Sequence, residues 1–504
     1  MTTDLLKRAL NARVTDVLPQ PTPLDRAHNL SERLGHAVFL KREDLTPVFS
    51  FKLRGAYNRI TALSAEELAR GVIAASAGNH AQGVAFAARR LGIQCRIVMP
   101  RTTPSIKVSA VRRLGAEIDL VGDSYSDAAE YAAELAVKTG AVPIPPYDDL
   151  DVIAGQGTIG LEILRQARDV GSIYVPIGGG GLISGIAAVV KELRPGVRIV
   201  GVQSTESDAM LRSIGEGHRV RLARVGIFAD GVAVKQVGEL TFDICRRYVD
   251  EIITVTTDEI CAAIQDAYED TRSILEPSGA LSIAGLKRAA ATRGLVPGPA
   301  VAIASGANVP FAKLGHIAER AEVGQLREAI LVVTIPEQPG SFLEFCRVIG
   351  DRSVTEFNYR LGSRAQADVF LGVEVAGTDE LRSIAESFAT AGYRTDDLSH
   401  DDLAKVHVRH MVGGRSATAR DEVLFTFEFP ERPGALLEFL TSLGTRWNIS
   451  LFHYRNHGSA YGRVLCGLEV PPRERDELAR ALDALGFPYE DETASAAARL
   501  LLGS

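Results

Sequence analysis

From about residue 325 onward the sequence repeats itself at a fixed offset, which obliges the last third of the chain to fold as two copies of one unit. Pro336, Pro339 and Gly340 recur as Pro430, Pro433 and Gly434, 94 positions later. The stripe Phe342, Phe345, Cys346, Ile349, spaced for one helix face, recurs at that offset as Leu436, Phe439, Leu440, Leu443. One residue further on, Phe357, Tyr359 and Arg360 return as Phe452, Tyr454 and Arg455. Gly372-Val373-Glu374-Val375 returns likewise as Gly467-Leu468-Glu469-Val470. Alternation in Val423, Phe425, Phe427 and Phe429 marks a strand. The pattern predicts a strand–helix–strand–strand unit with a second helix, twice, joined through Gly413-Gly414-Arg415-Ser416.

Ahead of the repeat, short β-branched runs alternate with longer amphipathic stretches. Residues 71–75, 95–100, 117–121, 172–177 and 198–202 read as strands, and 105–114 and 183–193 as helices, with another helix ending at Arg90. Such alternation predicts an α/β unit with parallel sheets covered on both faces. Ser64 with Glu67, and Thr256 with Glu259, fit capping boxes at helix starts. The expected division is therefore 1–322, 323–412 and 413–504, an α/β unit followed by two α+β modules.

Four motifs in the first 310 residues carry chemistry. In Ser50-Phe51-Lys52-Leu53-Arg54-Gly55-Ala56 a lysine stands among apolar and aromatic residues, where desolvation makes an amine nucleophilic. Alone, the plainer reading of a surface lysine opening a helix is favoured. Ser76-Ala77-Gly78-Asn79-His80 follows a strand with small residues that bare main-chain N–H groups for a carboxylate or phosphate; a plain turn fits equally. Gly178-Gly179-Gly180-Gly181-Leu182 lets main-chain N–H groups close around a phosphate without side-chain obstruction. No Gly-Lys-Ser/Thr follows it, and Ile183 and Ser184 stand where a dinucleotide fingerprint needs its third glycine. Ser305-Gly306-Ala307-Asn308 puts a hydroxyl at the end of an apolar strand, where parallel sheets present ligands. A lysine for a Schiff base, a glycine cradle, an asparagine loop and a neutral hydroxyl together suit pyridoxal 5′-phosphate.

Composition narrows the field. A net charge of −7 disfavours nucleic acid as a partner. The five cysteines are scattered, which predicts reduced thiols in a cytoplasmic protein. No apolar run is long enough for a membrane span, and the histidines lack metal-ligand spacing, so neither membrane nor metal is expected. Trp447 reads as module core, His80 as loop structure, and Glu276 as either a pocket residue or a helix cap.

The four motifs, in this order, resemble the tryptophan-synthase-β-type (fold type II) pyridoxal-phosphate enzymes. The paired modules resemble the ACT-like regulatory domains of biosynthetic threonine dehydratases, most closely in Val354-Thr355-Glu356-Phe357-Asn358-Tyr359-Arg360 and Asn448-Ile449-Ser450-Leu451-Phe452-His453-Tyr454-Arg455. The resemblance implies that Lys52 holds the cofactor as a Schiff base and that Phe51 packs on its ring. It places Asn79 on the 3-oxygen, Gly178 to Leu182 around the phosphate and Ser305 at the pyridine nitrogen. Ser76, Ala77, Gly78 and Asn79 would hold the substrate carboxylate. Some relatives bind a cation through an acidic residue where this chain has Gln203, which puts such a site in doubt.

The implied reaction converts L-threonine to 2-oxobutanoate and ammonia, the step that opens isoleucine biosynthesis, with L-serine as a second substrate. The amine freed from Lys52 would take the Cα proton before the β-hydroxyl leaves. Ser305, a nearly neutral partner, would weaken the ring as an electron sink and favour prompt elimination. A serine racemase would need a serine where this chain has Ala77, and would lack the repeats. Cysteine and threonine synthases would not need the tail, and a catalytically silent amino-acid sensor would not need the intact motifs. The resemblance implies inhibition by isoleucine opposed by valine, in a homotetramer; the repeated pairs Tyr359/Arg360 and Tyr454/Arg455 are expected to line one effector groove, with pure assembly modules as the alternative.

Overall fold

The computed structural model describes residues 2–325, 327–350, 352–406, 408–411, 414, 416–430, 435–443, 445–455, 461–495, 498 and 502. Pro433, Gly434, Gly413 and Arg415, parts of the predicted repeat and join, lie outside the described residues. The chain divides into two compact units, 1–321 and 322–504.

The strands of the first unit are β1 (Leu24–Arg26), β2 (Val38–Arg42), β3 (Val72–Ala75), β4 (Cys95–Met99), β5 (Glu117–Leu120), β6 (Val142–Pro143), β7 (Ser172–Pro176), β8 (Arg198–Ser204), β9 (Glu251–Val255) and β10 (Ala300–Ala304). They form a six-stranded sheet, β1-β2-β10-β7-β8-β9, and a four-stranded sheet, β5-β4-β3-β6. Both sheets are parallel as predicted, except that the edge strand β1 runs antiparallel to β2. Every residue of β7 and β10 is buried, as near-continuous apolar strands between two helix layers must be. These two strands are neighbours, so the segments leaving their carboxyl ends, the glycine run and Ser305, emerge side by side.

Helices cover the sheets with the predicted signals at their starts. Both expected capping boxes are formed, and Ser124 with Asp127 makes a third. The helix Lys52–Thr61 is seated by glycines on two sides. A Cβ on Gly83 would lie 3.1 Å from the Lys52 main chain, and one on Gly155 would lie 2.7 Å from the Gly55 Cα. Only hydrogen at those positions lets the helices Asn79–Leu91 and Leu150–Gln166 approach so closely.

Two residues beyond Lys52, the fully buried Arg54 pairs with Glu43 at 2.8 Å and Glu162 at 2.6 Å, and Glu162 also pairs with Lys41 at 2.5 Å. With every partner in place the buried charges are compensated, and removing one would strand the others in apolar surroundings. The cluster ties the Lys52 helix to β2 and to the helix Leu150–Gln166.

The second unit is one antiparallel sheet made from β11 (Glu328–Pro336), β12 (Val354–Arg360), β13 (Gln366–Glu374), β14 (Arg394–Asp397), β15 (Glu422–Pro430), β16 (Asn448–Arg455), β17 (Tyr461–Glu469) and β18 (Tyr489–Asp491). Its order, β14-β11-β13-β12-β16-β17-β15-β18, sets the two copies edge to edge through β12 and β16. The eight repeated stripe residues, together with Trp447, are buried in one apolar core. At the join, the repeat-related rings of Phe357 and Phe452 meet edge to face at 5.2 Å.

Register corrects one expectation. Successive side chains of a strand point to opposite sheet faces, so Tyr359 and Tyr454 lie in the helix-covered core while Arg360 and Arg455 project from the other face. Arg360 there pairs with Glu422 and Arg455 reaches His410 at 3.2 Å. The four residues therefore do not line one groove. Burial, together with the hydrogen bond that its hydroxyl donates to Glu337, raises the Tyr359 pKa.

Candidate active site

Lys52 opens its helix on the inner side of the first unit, beside a cavity lined by Phe51, Asn79, Tyr147, Gly178 to Leu182, Glu276, Ser278 and Ser305. Its Nζ donates to the Pro146 carbonyl at 2.7 Å and lies 5.3 Å from the centroid of the Phe51 ring. Burial lowers its pKa to about 8. The surface-lysine reading therefore fails. At neutral pH a group of that pKa is about one-tenth unprotonated, against less than about one-thousandth for an ordinary lysine.

That shift fixes a pH dependence for cofactor capture. Only the neutral amine attacks an aldehyde, so uptake of pyridoxal phosphate by cofactor-free protein rises about tenfold per pH unit until about 8 and then levels off. Stopped-flow absorbance checks this. An uptake rate still climbing at pH 10 would show Lys52 in ordinary aqueous surroundings.

The glycine run turns from β7 into the helix Gly181–Leu193, which starts two residues before the predicted position. Gly180 takes φ +98°, a conformation a side chain resists. A Cβ on Gly179 would stand 2.3 Å from the Tyr147 ring, and one on Gly181 would stand 2.9 Å from Tyr147 Cα. The helix start leaves first-turn N–H groups free of intrahelical partners. Thr241 holds the loop by donating to the Gly179 carbonyl at 2.6 Å. Across the cavity, Ser305 donates to the Ser278 carbonyl at 3.2 Å, and the buried Ser278 hydroxyl has no partner among the described residues. Amine, narrow glycine cradle, aromatic ring and spare hydroxyl fit the aldehyde, phosphate and ring of pyridoxal phosphate.

Ser76, Ala77 and Gly78 form the half-buried turn from β3 into the helix Asn79–Leu91, and of that loop only Asn79 lines the cavity. His80 belongs to the first helical turn rather than a loop. It is buried, its Nε2 donates to the Ile144 carbonyl at 2.8 Å, and desolvation together with nearby Lys52 pushes its pKa down to about 3. Buried Gln203 donates to the Ser207 carbonyl at 3.0 Å and accepts the Leu211 N–H at 2.9 Å, so its amide is engaged by its own segment. Among the described residues no group of three or more His, Cys, Asp or Glu is placed to hold a metal, all five cysteines are buried thiols outside any disulfide, and no helix is long and apolar enough to cross a membrane.

Tyr147, Gly231, Val232 and Ser278 also line the cavity, and no sequence motif marks them. Pro145-Pro146 marks a rigid loop ahead of Tyr147, but nothing local says that the ring will cover the glycines. Glu276 resolves in favour of the pocket. It occupies the N-cap position of Pro277–Arg293, yet its carboxylate makes no cap bond and accepts instead from Asn79. Burial, opposed in part by the Asn79 bond, raises its pKa to about 7.

This fold and this site define a pyridoxal-phosphate-dependent enzyme of the tryptophan-synthase-β type. The family described as pyridoxal-phosphate dependent enzyme matches residues 16–306, and the C-terminal regulatory domain of threonine dehydratase matches twice, over 319–408 and 413–502. The chain belongs to the biosynthetic threonine dehydratase family. It is 54% identical over 503 residues to the biosynthetic L-threonine dehydratase IlvA of Burkholderia multivorans, covering 99% of each chain. With that of Escherichia coli it shares 49% over 500 residues, covering 99% of this chain and 97% of the relative. Among solved structures, the processed threonine deaminase isoform 2 of Solanum lycopersicum aligns with TM-score 0.63 at 49% identity, over 64% of this chain and 88% of that one.

Proposed function

We propose that this enzyme converts L-threonine to 2-oxobutanoate and ammonia, acts also on L-serine, and is inhibited by isoleucine and released by valine through its repeated modules. The observation that carries the reading is a desolvated Lys52 amine sharing one cavity with a four-glycine cradle and Ser305. When bound, the cofactor supplies an aldehyde for the substrate amine and an electron-withdrawing ring.

The residues divide the work. Gly178 to Leu182 would hold the phosphate through main-chain N–H groups, and Phe51 and Asn79, which line the same cavity, would fix the ring. The turn Ser76-Ala77-Gly78-Asn79 takes the substrate carboxylate at a helix start. Lys52, its pKa lowered by burial, takes the proton from the substrate Cα. The β-hydroxyl departs as water, a water returns in the final hydrolysis, and one ammonia per threonine is released. Ala77 has no proton to deliver to the opposite face, which supports elimination over racemisation. Buried Ser305 would serve the ring nitrogen as a neutral partner, which would leave the ring a weaker electron sink and favour elimination.

Control of the reaction needs a coupling of only about 1–3 kcal/mol between module and active site. The homotetramer and the cytoplasmic location belong to the same reading, on family likeness. A ketoacid-release assay on the full-length protein tests it: threonine and serine both yield ketoacid, isoleucine lowers the threonine rate at least about fivefold, and valine restores it. Product from neither substrate, or a rate indifferent to isoleucine, contradicts the respective half.

A further inference from the structure

The Val48 main-chain carbonyl can only accept, and it receives Asn308 Nδ2 at 2.9 Å. The same Nδ2 reaches Asn79 Oδ1 at 2.8 Å, so Asn79 turns its carbonyl towards Asn308 and its amide nitrogen away. That nitrogen donates to Glu276 Oε1 at 2.5 Å. One main-chain oxygen therefore sets the polarity of two side-chain amides in series, ending on a buried carboxylate. Reversing Asn79 would put its oxygen against the buried Glu276 carboxylate and its NH₂ against the Asn308 NH₂, two repulsive contacts.

Glu276 is itself held in place. Its N–H donates to the Gly306 carbonyl at 3.1 Å, its carboxylate receives the Asn308 main-chain N–H, and a Cβ on Gly306 would stand 2.6 Å from Oε1. Lys52, Asp230 and Lys107 are the charged groups that face it.

We infer that Glu276 and Asn308 are positioning residues that lock the Asn79 amide in one orientation, leaving its second Nδ2 hydrogen for the cofactor's ring oxygen. The inference rests on the reading above that Asn79 meets that oxygen. Neither residue needs to touch the cofactor. Without the lock the amide turns freely and offers its carbonyl oxygen to an oxygen anion in part of the population.

The test is a pH titration of the visible absorption band of the loaded protein. A ring oxygen that loses its donor holds the neighbouring proton more tightly, so the midpoint rises. Asn79→Ala raises it by about one pH unit, and Asn308→Ala, which alters no charge, raises it comparably. The double variant rises no further than Asn79→Ala alone, because Asn308 acts through Asn79. Glu276→Ala removes a charge as well, so its signature is non-additivity with Asn79→Ala of at least about 0.5 pH unit. Should Asn308→Ala fail to fold, Asn308→Ser, too short to span both acceptors, carries the same expectation. A midpoint that moves with Asn79→Ala but stays within about 0.2 unit in the Asn308 variants, or shifts that simply add, overturns the lock. A midpoint unmoved by Asn79→Ala overturns the reading of Asn79 and the lock with it.

Discussion

Lys52→Ala loses ketoacid release from threonine by a factor on the order of 10⁴ or more, as expected when one group is both the anchor and the base of a reaction. The loss has two separable parts. Without an amine the cofactor has no covalent tether, yet the glycine cradle, Asn79 and Ser305 remain, so the variant still takes up pyridoxal phosphate reversibly. Without the base, proton removal from Cα falls to water. Nearby basic side chains are poorly placed to substitute: Lys107 is bound to Asp230, Lys41 to Glu162, and His80 is held neutral with its Nε2 committed to Ile144. Added small amines restore part of the rate, because the cavity left by the side chain admits them. Dehydration at the normal rate by Lys52→Ala would remove the lysine from the chemistry altogether.

The second large effect comes from the cradle. In Gly179→Val the new Cβ would begin 2.3 Å from the Tyr147 ring, a distance no real contact adopts, and the rest of the side chain would extend into the same space. Either the ring leaves its place over the glycines or the loop swings away from the position in which its N–H groups converge. At the upper end of overpacking costs, about 3 kcal/mol, cofactor affinity falls by a factor on the order of 10². Equilibrium titration of cofactor-free protein, followed by quenching of intrinsic fluorescence, reads the change. Gly196→Ala is the matched control, since a Cβ there meets nothing within 4 Å, and its affinity stays at the wild-type value. Equal affinities in both variants would mean that the four glycines serve only the turn.

The parts of this site that were legible in the sequence are those whose signal is local. Lys52, the glycine run and Ser305 each lie at the boundary between a periodic segment and a break in it, and the sheet places them as its strand order requires. Tyr147 and Glu276 face the cavity because segments far apart in the chain converge, and no pattern within a few residues carries that information. Glu276 even stands where a helix cap is expected, and only the position of Asn79 some two hundred residues earlier explains why its carboxylate turns inward. In the tail, the repeat gave the helical stripes and the strands. It did not give the pairing of β12 with β16, because an edge strand advertises only that it has a free side, not which partner takes it. The separation of Tyr359 from Arg360 was legible, since adjacent strand residues always part to opposite faces. Their recurrence as a pair in both repeats suggests one groove, and period two forbids it.

The central claim is covalent, and peptide mapping reads it directly. Reduction of the loaded protein with borohydride fixes the cofactor to its lysine, and trypsin then fails to cleave there, leaving a 43–54 peptide that carries phosphopyridoxyl on Lys52. The account predicts that this peptide holds essentially all of the label. Label on another lysine, or a protein that releases all of its cofactor after reduction, would contradict it.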